Sequence, residues 1–317
     1  MSKMRRCFNI TVIIFSVCCF GTLLFSCEKP QSVIVQRIDS AAFSGGAMPV
    51  EMRAGVELWK KYCGREYESV DSFWLEYCNS QAVKVFYPDI VDRIGDNLSV
   101  VEGQLGKVKS GFESKFPDVS FPTKFYGIVS PYTQSVMLSD STLLIALNHY
   151  LGADYAGYAG MPAEQRVLKA AGNIPTDVAE ALLRVNYEFT GDSWSPLLNK
   201  MIYEGAIAAA VKQISGVSDS QAIGISEEAF NQLRNNEAEI WKDIVASGLL
   251  YSSSPKVADE MIKPYPSRRY PSRVGRYFGA RIAESALKNG MTLNDLLSPD
   301  FYMSGDALMQ SGYSPVK

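Results

Sequence analysis

The runs Lys124-Phe125-Tyr126-Gly127-Ile128-Val129, Ser135-Val136-Met137-Leu138 and Thr142-Leu143-Leu144-Ile145-Ala146-Leu147 read as three short strands. Pro131 and the turn Ser139-Asp140-Ser141 separate them. On both sides of this block the apolar residues fall at helical spacing. Val56, Leu58, Trp59 and Tyr62, then Phe73, Trp74, Tyr77 and Cys78, mark helices within residues 50–80. Ile90 to Phe116 reads as one longer amphipathic helix that ends before Pro117 and Pro122. Helical signals return after Pro175, and Pro196 is placed to start another helix. Ser226-Glu227-Glu228 opens a helix running through Trp241, and residues 252–273 form a break rich in Ser, Pro and Arg. A last helix spans Val274 to Lys288, closed by Asn289-Gly290. The fold class is therefore α+β, mostly α: a helical domain with one small β-sheet.

Composition removes several function classes. The 317 residues are 47% hydrophobic and 21% charged, which excludes a disordered or fibrous chain. With 31 basic and 34 acidic residues the net charge is −3, so no basic excess supports a nucleic-acid partner. His149 is the one histidine, which excludes a zinc site built from two or three histidines of one chain. It follows an apolar run and reads as a packed, hydrogen-bonded side chain. Neither a Gly-x-Ser-x-Gly elbow nor a P-loop is present.

The N-terminus is a targeting segment. Lys3, Arg5 and Arg6 precede an apolar stretch from Phe8 to Phe25, a secretory layout. Leu24-Phe25-Ser26-Cys27 resembles a bacterial lipobox. The resemblance implies cleavage after residue 26 and acylation of Cys27, with palmitate-class chains anchoring the protein to a bilayer. Residues 1–26 are then the lipoprotein signal peptide, 27–48 a tether, and 49–317 the folded domain. Loss of the three basic residues leaves 28 basic against 34 acidic. Cys63 and Cys78, 15 residues apart, can form a disulfide in an oxidising compartment or remain buried thiols.

Several ordered segments carry a further resemblance. They are Ile145-Ala146-Leu147-Asn148-His149-Tyr150-Leu151-Gly152, Leu197-Leu198-Asn199-Lys200-Met201-Ile202-Tyr203-Glu204-Gly205, Asn236-Glu237-Ala238-Glu239-Ile240-Trp241, Leu249-Leu250-Tyr251-Ser252, Pro271-Ser272-Arg273-Val274-Gly275-Arg276-Tyr277-Phe278-Gly279 and Ser311-Gly312-Tyr313-Ser314-Pro315. Together they resemble the gliding-motility lipoprotein GldB family of Bacteroidetes. The resemblance implies a lipid-anchored envelope protein outside the cytoplasm, on the inner or the outer membrane, and together with the lack of zinc ligands it favours a non-catalytic role. Its partners would be envelope proteins of a gliding or secretion apparatus, and no cofactor is implied.

The layout also resembles a degenerate zincin-like fold. There a small sheet precedes a helix bearing H-E-x-x-H, and a later helix brings a third ligand. Ala179-Glu180-Ala181-Leu182-Leu183 and Tyr203-Glu204-Gly205 are the corresponding segments. Ala179 and Leu183 stand where the histidines would be, and neither side chain can coordinate zinc. Glu180, Tyr203 and Glu204 are nevertheless candidate pocket residues. Glu204 lies on an apolar helix, where a carboxylate needs a partner. The alternative function is an envelope hydrolase, either a degenerate or unusual metallopeptidase or one acting through carboxylates such as Glu180 and Glu204; a third is glycan binding by exposed tyrosines. Arg268, Arg269, Arg273 and Arg276, interleaved with Tyr265, Tyr270 and Tyr277, are a candidate interface. The other reading is internal pairing, with Arg273 and Arg276 neutralising Glu204, Glu237 or Glu239.

Overall fold

The computed structural model describes residues 33–265 and 269–315. The expected signal segment, Cys27 and Arg268 lie outside the described residues. Four strands form one sheet in the order β1-β2-β4-β3: β1 (Val35–Arg37), β2 (Lys124–Ile128), β3 (Val136–Leu138) and β4 (Thr142–Ala146). β1 and β4 both run parallel to β2, with Val35 and Leu143 each opposite Phe125. β3 is antiparallel to β4, with Met137 opposite Leu144. β4 is buried along its whole length, and β2 except at Lys124. That is why these two strands read as continuous apolar runs.

β3 is the free edge on one side, but its outward groups are covered. The Tyr62 hydroxyl accepts from the Leu138 amide at 3.3 Å and donates to the Leu138 carbonyl at 3.0 Å. Gln134 Nε2 donates to the Val136 carbonyl at 3.0 Å. Such caps blunt the tendency of an edge to recruit another strand.

From residue 33 onward the stretch read as a tether belongs instead to the domain. β1 joins the sheet, and α1 (Ile38–Ser44) buries Ile38 and Ala42. Val33 and Val35 are 6% and 4% exposed while Ile34 is 69% exposed, a period-two pattern that a three-residue strand is too short to announce. Arg37 closes a bidentate pair with the buried Asp39, at 2.8 and 2.7 Å. The same guanidinium donates to the Gly95 and Asp96 carbonyls, tying β1 to a distant turn.

That turn corrects a second expectation. After α2 (Arg53–Cys63) and α3 (Val70–Asn79), the expected single helix through Phe116 is two, α4 (Gln81–Arg93) and α5 (Ser99–Lys115). Gly95 takes φ +101°, which favours glycine, and Asn97 Oδ1 accepts from the Ser99 amide. The apolar spacing carries on through the turn and hides it. Beyond the sheet come α6 (Ala163–Arg166), α7 (Ile174–Asn186), α8 (Leu197–Ser215) and α9 (Asp219–Ile223). The expected helix through Trp241 is likewise divided, into α10 (Glu227–Asn235) and α11 (Glu237–Ala246). The break at 252–273 contains α12 (Pro255–Ile262). α13 (Val274–Lys288) has the expected bounds, and α14 (Leu293–Leu297), α15 (Pro299–Tyr302) and α16 (Ala307–Ser311) follow.

α8 is the axis of the helical part. Leu197, Met201, Ile202, Ala206, Ile207, Ala210 and Val211 are fully buried on several of its faces, as expected of a helix surrounded by protein. It packs against α5, α7, α13 and α14. The contact with α13 is backbone on backbone. A Cβ on Gly205 would lie 1.8 Å from the Gly279 carbonyl carbon, and one on Gly279 would lie 1.8 Å from the Met201 carbonyl oxygen. Gly205→Ala should therefore cost at least about 3 kcal/mol in urea unfolding, since neither backbone can yield without separating the helices. Gly103→Ala, at an exposed α5 position with no atom within 4 Å, should instead gain about 0.5–1 kcal/mol. Equal effects would show that the crossing is not what fixes the two helices.

Candidate functional site

The close crossing sets Glu204 beside Gly205 on α8, and Arg276 one turn before Gly279 on α13. Across from them α7 presents Glu180 and Arg184, one turn apart on one face. The four side chains meet. Arg276 donates to both Glu180 oxygens, Nη2 to Oε2 at 2.6 Å and Nη1 to Oε1 at 3.0 Å. Arg184 donates to both Glu204 oxygens, Nη2 to Oε2 at 2.6 Å and Nη1 to Oε1 at 3.0 Å. Each arginine also reaches the other carboxylate: Arg184 Nε to Glu180 at 2.9 Å, and Arg276 Nη1 to Glu204 at 3.2 Å. Arg276 Nη2 adds a bond to the Ala222 carbonyl at 3.1 Å.

The network is largely withdrawn from water. Side-chain exposure is 2% for Arg276, 13% for Glu204, 21% for Glu180 and 34% for Arg184. Burial alone would push the Glu180 carboxyl up, but the Arg276 and Arg184 charges outweigh it and hold the group well below the usual range. Burial likewise opposes the charge on Arg184, and the two carboxylates raise it well above its ordinary value. Bidentate geometry on both carboxylates is what offsets the desolvation.

Glu180 and Glu204 are thus brought together, 24 positions apart in the chain. Ala179 and Leu183 are fully buried core residues of α7. Tyr203 is also buried; its hydroxyl donates to the Tyr187 carbonyl at 2.8 Å, and its ring packs on Phe189 and Tyr302. Among the described residues no three His, Cys, Asp or Glu side chains converge as metal ligands would.

Arg269, Arg273 and Arg276, the described members of the arginine stretch, do not make one exposed interface. Arg276 is buried in the ion network. Arg273 starts α13 in the left-handed conformation, φ +58°, and Nη1 donates to the Ile223 carbonyl at 2.9 Å. Arg269 is exposed and forms a bidentate pair with Asp243, at 2.6 and 3.0 Å. Asp243 also accepts from the Tyr270 hydroxyl. Arg276 thus pairs with Glu180 and Glu204, and Arg269 with Asp243. Cys63 and Cys78 are free thiols, so the disulfide their spacing allows is not formed. Burial pushes the Cys63 thiol up to about 11. The His149 imidazole is brought down to about 4 by burial and by Lys169, and its Nδ1 lies 3.0 Å from Ser135 Oγ.

Two features escaped the sequence reading. Arg184 completes the ion network, and its only signal was its place four residues after Glu180. Another buried carboxylate, Glu237, accepts from Tyr277 at 2.7 Å, Tyr313 at 2.9 Å and Arg281 at 3.1 Å. It pins α11, α13 and the C-terminal segment together. Three of the ordered sequence segments meet at this one side chain.

Cavities border the ion network. One of about 240 Å³ lies between β3 and α7, with Glu180 and Arg184 in its lining. Another, of about 530 Å³, is lined by Arg184, Tyr203 and Glu204 together with Lys200, Asp259 and Lys263.

A mostly helical α+β domain, built on a buried axial helix and sealed by paired carboxylates and arginines, is the class of protein these features define. A family model described as gliding motility protein GldB matches residues 28–315, and the chain belongs to that family. No curated protein matches the chain, and neither does any solved structure.

Removing one member of the network strands buried charge. Glu204→Ala should cost about 3 kcal/mol or more at neutral pH, measured by urea unfolding. Replacing both Arg184 and Glu204 by leucine leaves the balanced Glu180–Arg276 pair and should cost less than Glu204→Ala alone. A double variant as unstable as the sum of its parts would refute the pairing. Acid should also act through Glu180. Its folded pKa is depressed, so its stabilisation is complete above its ordinary value of 4.5 and is lost as pH falls below that. Glu180→Gln should flatten this part of the stability–pH curve.

Proposed function

We propose that the protein is a lipid-anchored, non-catalytic component of the cell envelope that supports gliding motility or the protein secretion linked to it. Membership in the GldB family supports the motility role, and the family label designates a lipoprotein. The lipobox-like Leu24-Phe25-Ser26-Cys27 supports acylation at Cys27. Among the described residues no helix is long and apolar enough to cross a membrane.

The observation that carries the non-catalytic reading is the double bidentate pairing of Glu180 and Glu204. A general base needs a carboxylate free to take a proton near the working pH. Glu180 is held ionised by two guanidinium groups and is a poor proton acceptor. Zinc ligation through these carboxylates would require breaking both arginine forks, with no imidazole to replace them. Work done by this domain is then binding and scaffolding, with partners among the proteins of the envelope apparatus.

Two measurements test the proposal. Cells fed an alkyne fatty acid should label the full chain and retain it in membranes, and Cys27→Ser should lose both. A native protein that stays unlabelled and washes free would sink the anchor. Elemental analysis of the full chain in detergent, beside Glu204→Ala, should give no stoichiometric zinc in either. Zinc present in the native chain and lost in the variant would restore the hydrolase reading.

A further inference from the structure

We propose that the domain docks on the bilayer through the start of β1 and the first turn of α5, in one orientation, rather than hanging free from its anchor. The proposal rests on acylation of Cys27. Its geometric basis is the length of chain between that residue and the fold. A tether of residues 27–48 has 22 positions and a reach of roughly 75 Å. A compact domain of this size is about 50 Å across, so such a tether would let it turn freely. The fold takes back most of that length. Val33 is buried, and β1 begins at Val35. The six chain steps from Cys27 to Val33 span at most about 20 Å. The attachment point is also fixed: the Val35 amide donates to Glu102 Oε1 of α5 at 2.9 Å, and Arg37 is locked on Asp39. An anchor with so short a reach holds the start of β1 toward the lipid.

The residues at that end suit a lipid surface. Ile34 is exposed between the two buried valines 33 and 35. Val100, in the first turn of α5 with Glu102, is 73% exposed. Val35 lies opposite Phe125, so Ile34 and Lys124, each one position earlier, emerge side by side from β1 and β2. Lys124 is exposed at the start of β2. Two exposed β-branched side chains can enter the headgroup region, while a lysine places its ammonium among the lipid phosphates. Asp140 is exposed in the turn between β3 and β4, at the other edge of the sheet, and keeps that corner in water. Contact is therefore made on the β1 side. The opposite end of the sheet, where β2 and β4 finish at Ile128 and Ala146, is turned to the aqueous phase.

The test uses the full acylated chain, reconstituted into phosphatidylcholine vesicles with and without doxyl-labelled phosphatidylcholine. A bimane fluorophore is attached at Ile34→Cys or at Thr133→Cys, each in a Cys63→Ser, Cys78→Ser background. Thr133 is exposed in the loop between β2 and β3, at the end of the sheet away from Ile34. Doxyl lipid should quench the probe at Ile34→Cys at least about twofold more than at Thr133→Cys. A probe at Val100→Cys should be quenched as well, and Ile34→Asp should weaken that quenching. A chain that is acylated and bound to vesicles, yet equally quenched at positions 34 and 133 or more at 133, would overturn the docking while leaving the anchor intact. A chain with no acyl mass at Cys27 that stays free of the vesicles would overturn both.

Discussion

The close crossing of α8 and α13 at Gly205 and Gly279 is the constraint on which the interior depends. Two backbones in contact leave no room for adjustment, so the residues flanking the glycines have fixed positions. Glu204 is next to one glycine, and Arg276 stands one turn before the other. A side chain at either glycine would push the helices apart by more than the slack in a 3.2 Å hydrogen bond. The geometry of the ion network is therefore set by the two residues that contribute no side chain at all.

The network shows how four charges can sit inside a hydrophobic domain. Each carboxylate is gripped at both oxygens by one guanidinium and touched by the other. Pairing in this form neutralises charge over the shortest distances available. Its net contribution to stability is modest, because the same volume filled with apolar side chains would avoid desolvation altogether. Its effect on specificity is larger: α7, α8 and α13 can dock in one register only, since any slip leaves a buried charge alone. Glu237 does the same for α11, α13 and the C-terminal segment with one carboxylate and three donors.

Legibility in the sequence followed the length of each element and the range of its contacts. β2 and β4 announced themselves because both faces are buried, and α13 because it has a clean start and an Asn-Gly stop. β1 did not, since three residues carry too little period to separate a strand from a linker. The turns at Gly95 and Asn236 were hidden because apolar spacing continues across them. At the site, the need of Glu204 for a partner was readable from its apolar surroundings. That the partner would be shared with Glu180 was not, because apart from the Glu180–Arg184 contact the bonds span 20 to 96 positions. The arginine-rich stretch left an interface and internal pairing open, because a buried arginine is distinguished only by what lies opposite it in space.

The order of the network along the chain has a consequence for how the molecule is made. Glu180, Arg184 and Glu204 emerge first, and Arg276 only 72 residues after Glu204. Until then two carboxylates face one guanidinium, and the docking of α7 on α8 carries an uncompensated negative charge. The half-made chain has reason to stay open. Closure comes late, when α13 arrives with both the missing cation and the glycine that lets it approach. The interior thus behaves as a lock whose last pin is in the final quarter of the sequence, and a chain halted before that point lacks the second cation that balances Glu180 and Glu204.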